Sequence, residues 1–157
     1  MIANGQFAAE LVTAGAAGLS AITVGKLLEA RPEIAAKLRR RFPKSLDGAP
    51  ALLPTEHTPL RMAVERWFDA QHVRPHAIAE FDDPALLKAF ALEHDVVFPL
   101  HSVGVPEVER QYGFKRVGEA VECRTQFFAI TAERRIRHPA AVAVTEHAHQ
   151  ELFAKGV

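Results

Sequence analysis

Five of the ten prolines set the grammar of this chain. Pro32, Pro59, Pro84, Pro106 and Pro139 each head a stretch with helical apolar spacing. Proline is tolerated in the first turn of a helix because the N–H it lacks has no partner there. Between these starts lie short apolar runs: ALLP at 51–54, HAIAEF at 76–81, VVFPL at 96–100, then FKRVG at 114–118 and TQFFAIT at 125–131. Their length and bounding turn residues suit strands. Strands alternating with helices predict an α/β architecture with a largely parallel sheet covered on both faces. The helical stripes are Ile34, Leu38 and Phe42; Leu60, Val64, Trp67 and Phe68; Leu86, Leu87, Phe90 and Ala91; and Ala141, Val144, Ala148 and Leu152.

The segment EFDDPALLKAF, 80–90, poses the sharpest functional question, because two adjacent carboxylates can be a metal site, an acid/base pair or a cap. Asp83 precedes Pro84, so its carboxylate is placed to accept a first-turn N–H and to oppose the helix dipole. Asp82 stands one residue earlier, at the carboxyl end of a strand, the edge where open α/β sheets collect ligands. It is the candidate functional residue of the pair, and no partner for it is evident locally. Thr58 is the matching N-cap of the helix from Pro59.

Composition narrows the classes. With 157 residues, 48% of them hydrophobic, the chain can bury one core. Lys+Arg and Asp+Glu both number 19, a balance that disfavours binding to phosphate backbones. The single cysteine, Cys123, leaves no internal disulfide and suits a reducing cytoplasm. Residues 1–27 are rich in Ala and Gly; without a basic start or an unbroken apolar run they support neither a signal segment nor a membrane span. They are left unassigned.

Common catalytic motifs are absent: there is no GxGxxG, P-loop, GxSxG or HExxH. His147 and His149 are two apart, a spacing that separates them around a helix, so no metal site is expected. Cys123 reads as a core thiol. The arginines of ERRIRHPA, 133–140, read as surface charge leading into the last helix, with anion binding as the alternative.

The stretches RRRFPKSLDGAPALLPTEHTPLR, EFDDPALLKAF and FFAITAERRIRHPAAVAV resemble the later part of the effector-binding domain of LysR-type transcriptional regulators, in a branch of sodium-responsive activators. The resemblance runs from about Leu38 to Val144. It implies a periplasmic-binding-protein-like (type II) domain, incomplete here: one whole lobe plus parts of the other. By this resemblance 28–48 is the end of the first lobe, 49–123 the second lobe and 124–157 the return segment of the first. It implies no catalysis, no cofactor and a small-molecule or ion effector, sodium among the candidates; the alternative is a small α/β ligand-binding or catalytic protein that shares only the fold. Further implications are oligomers, a cytoplasmic location and no membrane contact. The family's DNA-binding winged helix has no counterpart in the sequence, so the chain itself is expected not to bind DNA. The effector-lining positions carried over are Thr55, Thr58, Phe81, Asp82, Asp83, Phe98 and Pro99. Pro84 and His94 depart from the family's usual small residue and glycine.

Overall fold

The structure is a computed structural model that describes residues 2–3, 19–24, 26–121, 123–130, 139 and 142–143. In chain order its strands are β1 (Ile2–Ala3), β2 (Leu19–Val24), β3 (Lys26–Ala30), β4 (Pro50–Pro54), β5 (His76–Phe81), β6 (Val97–His101), β7 (Lys115–Glu119) and β8 (Thr125–Ile130). The helices are α1 (Pro32–Arg39), α2 (Pro59–Gln71), α3 (Pro84–Glu93) and α4 (Val105–Tyr112). Four of the five proline-headed helices are thus in place. The fifth, with its Ala141, Val144, Ala148 and Leu152 stripe, lies almost wholly outside the described residues, as do His147, His149 and ERRIRHPA up to His138.

Two compact units divide the chain: Met1–Val24 with Thr125–Val157, and Gly25–Arg124. In the first, β8 is the middle strand, antiparallel to β1 and β2 in the order β1-β8-β2. The N-terminal stretch left unassigned by sequence therefore supplies both neighbours of the return-segment strand.

The second unit holds a five-stranded sheet in the order β5-β4-β6-β3-β7. Here the expectation of a largely parallel sheet needs correction. β4 runs parallel to β5 and to β6, but β3 is antiparallel to both β6 and β7. β3 falls across residues 26–30, partly inside the unassigned stretch. Its charged Lys26 and Glu29 around Leu27–Leu28 hid a strand that is buried at every residue. Segments 28–48 and 49–123 share this sheet.

Helices cover both faces, as expected. On one, Ala35 and Leu38 of α1 and Ala63, Val64, Trp67 and Phe68 of α2 pack with Leu28, Ala30, Ala51 and Leu53. On the other, Leu87 and Ala91 of α3 and Val108 of α4 pack with Leu52, Phe98 and Phe114. Trp67 stacks on Phe42 at 5.7 Å, so it is core. Leu86 departs from its expected burial: it is 59% exposed, because α3 turns its Leu87 and Ala91 edge to the sheet. α2 stops where His72 enters the left-handed region (φ 54) and donates its N–H to Phe68 O and Asp69 O. α4 stops in the same way at Gly113 (φ 73). Among the described residues no helix is long and apolar enough to cross a membrane.

Candidate functional site

The carboxyl ends of β4 and β5 lie side by side, and the register Pro54↔Phe81 is their last pair. Beyond it the strands stay joined: Thr55 N–H donates to Phe81 O at 3.3 Å, and the Thr55 hydroxyl donates to Asp82 Oδ1. The expectation that Asp82 has no partner is overturned. The hydroxyl that meets it comes from the adjacent strand end, a relation local sequence cannot display. Asp82 remains exposed, so its other oxygen faces water.

Two helix starts flank this pair. Thr58 caps α2: its Oγ1 accepts from Arg61 N at 3.2 Å and donates to Thr55 O at 3.1 Å. The turn between is made by His57 in the left-handed region (φ 69). Asp83 caps α3, its Oδ1 accepting from Ala85 N at 2.7 Å, with Pro84 in the first turn. Each helix start therefore has a side-chain oxygen on one of its open N–H groups.

The remaining expected residues lie deeper. Phe81 is half-buried and packs on Phe90 at 5.5 Å. Phe90 in turn stacks on His94 at 3.9 Å, and His94 Nδ1 lies 2.9 Å from Phe90 O. Phe98 is 0% exposed and meets Phe114 edge-on at 4.9 Å, and Pro99 is buried opposite Leu28. The structure thus brings Thr55, Thr58, Asp82 and Asp83 to one corner, with Phe81 beneath them, while Phe98 and Pro99 belong to the core of β6.

Sequence reasoning missed Arg61. It is 7% exposed, with Nη1 donating to Pro54 O (2.8 Å) and Glu80 Oε1 (2.7 Å) and Nε donating to Glu65 Oε1 (2.6 Å). Burial pulls its pKa down, but the hydrogen bonds and charges of Glu65 and Glu80 more than offset this and hold it above the usual value. The Arg61–Glu65 spacing of four was the available signal. Cys123 is buried, which pushes its thiol pKa up and fits the core reading. Among the described residues no group of His, Cys, Asp and Glu is arranged to hold a metal ion.

The sheet, with helices on both faces, ends in a polar corner at its carboxyl edge, the edge where open α/β sheets collect ligands. The model of the LysR substrate binding domain matches residues 27–153, and the chain belongs to that family, whose regulatory domains have the type II periplasmic-binding-protein-like fold. The transcriptional activator protein NhaR of Escherichia coli is 28% identical over 116 residues, covering 74% of this chain and 38% of the relative's length. Among solved structures, the apo regulatory domain of HypT from Salmonella typhimurium superposes with a TM-score of 0.61 at 10% identity, covering 97% of this chain and 80% of that one. The regulatory domain of CcmR from Synechocystis, solved with 2-PG, gives 0.60 at 9% identity over 88% and 69%.

Proposed function

We propose that this chain is the effector-sensing part of a LysR-type transcriptional activator similar to NhaR, and that its effector meets the corner formed by Thr55, Thr58, Asp82 and Asp83. The observation that carries this is the Thr55–Asp82 pair, which places a hydroxyl and a half-free carboxylate at the ends of two adjacent parallel strands. The chain spans 38% of the length of the relative it matches, so the activator role, DNA control and oligomers belong to the proposal. What supports a non-enzymatic reading is the family match. We read Gly25–Arg124 as the second lobe, which moves the expected lobe boundary from 49 toward 25. The support is that 28–48 and 49–123 share one sheet.

The corner favours a particular chemistry. The side-chain oxygens of Thr58 and Asp83 already occupy helix-start N–H groups, which weakens the pull on an anion. Exposed Asp82 and Asp83 offer oxygen acceptors, which suit a hard cation such as sodium or a small organic molecule with N–H or O–H donors. NMR titration of the full chain with sodium chloride against potassium chloride at constant ionic strength, then with small polar amines and acids, tests this. Saturable amide shifts at Thr55 and Asp82 that disappear in Asp82→Ala are expected. Shifts confined elsewhere, or indifferent to Asp82→Ala, would overturn the assignment.

A further inference from the structure

Arg61 is a buried cation just below the candidate corner, in contact with both strands. Pro54, whose carbonyl it binds, immediately precedes Thr55, and Glu80, whose carboxylate it binds, lies two residues before Asp82. The same residue's backbone N–H donates to Thr58 Oγ1. One side chain and its own amide therefore touch the end of β4, the end of β5 and the cap of α2. Beyond the register pair Pro54↔Phe81 the two strands are joined only by bonds of Thr55 among those described. Without a tie at that point, strand ends fray first, because they have the fewest buried contacts to lose.

Arg61 is poorly suited to be a ligand group itself. Two carboxylates face its single charge, so an anion approaching it meets net negative charge. Its planar fork instead matches three acceptors at once, a geometry a lysine cannot reproduce.

We propose that Arg61 is the positioning residue of the candidate site, clamping the ends of β4 and β5 so that Thr55 and Asp82 stay within hydrogen-bond reach. This rests on the reading of that corner as the effector site. The test needs no effector, so its outcome is separate from the fate of that reading.

Backbone amide exchange is measured by NMR on the full chain for the wild type, Arg61→Met, Arg61→Lys and Glu80→Ala, with Leu28 and Phe98 as strand-centre references. In Arg61→Met the Thr55 amide should exchange about tenfold faster relative to the references, and Arg61→Lys should recover little of the loss. Glu80→Ala, which removes one exposed partner and leaves the core intact, should show the same local pattern at about threefold; it serves alone if Arg61→Met does not fold. Exchange rising equally at Thr55, Leu28 and Phe98 would assign Arg61 to global stability only, and unchanged Thr55 exchange would remove the clamp. Either result overturns the proposal.

Discussion

Of the three charged side chains buried in and against the five-stranded sheet, Lys26, Glu29 and Arg61, the last two are accommodated in opposite ways. At its carboxyl corner, Arg61 has three acceptors on three elements. In its interior, Glu29 of β3 is 0% exposed, and neither carboxylate oxygen has a hydrogen-bond partner among the described residues. The register Glu29↔Phe98 puts it on the face of the Phe98 and Phe114 core. Both pKa values move up, with opposite meanings. For Arg61 the partners favour the charged form. For Glu29 burial, aided by Glu109 of α4 and opposed by Arg116, Lys115 and Arg39, favours the neutral form and lifts the pKa from 4.5 to about 7. A buried charge is tolerated where its partners replace water, and is neutralised where they do not.

The largest expected effect breaks this contrast at Glu29. Because its folded pKa is raised, the folded chain keeps a proton that the unfolded chain releases between pH 4.5 and about 7. Its contribution to stability is complete below that window and is lost as pH rises through it, by roughly 3 kcal/mol. His101 acts in the opposite direction, since burial and Lys26 lower its pKa from 6.5 to about 4 and stability rises with pH across that interval. The readout is therefore the difference between wild type and Glu29→Gln in urea denaturation at pH 5 and pH 8. Glu29→Gln should be the more stable at pH 8, and the gap should close at pH 5.

Removing the satisfied charge should cost less. Arg61→Met should lower stability by about 2 kcal/mol at pH 7, because Glu80 and Glu65, 38% and 48% exposed, regain water when the guanidinium leaves. A loss above about 4 kcal/mol would mean that these carboxylates are sealed as tightly as Glu29.

The smallest effects separate the two aspartates of the corner. Asp83→Ala removes the cap on Ala85 N and should cost roughly 0.5–2 kcal/mol, with Asp83→Asn recovering most of it. Asp82→Ala removes one exposed bond and should cost under about 1 kcal/mol. Its loss should not add to that of Thr55→Val, since the two delete the same contact. Full additivity in a double-mutant cycle would dissolve the pair.

The caps were legible because each is read within four residues. A carboxylate or hydroxyl next to a proline-headed apolar run meets its N–H partner whatever the rest of the chain does. Thr58, Asp83, the strands β4, β5 and β6 and the core role of Trp67 all follow from such local patterns. The partner of Asp82 was not legible, because Thr55 is 27 residues away and the parallel pairing of β4 with β5 brings them together. Leu86 was read as buried from a stripe that leaves the helix's orientation on the sheet open.

The amino-acid sequence by itself determined the α/β class, the helix starts, their caps and the family, since each depends on short-range sterics, hydrogen bonding or motif identity. Only the tertiary structure decided that β3 runs antiparallel between β6 and β7, carrying a buried carboxylate. It alone decided that Arg61 has three acceptors and that Asp82 has one donor. The physical reason is common to all of these: strand pairing and the solvation of a buried charge depend on neighbours that come from distant parts of the chain, and no local pattern encodes which of them arrive.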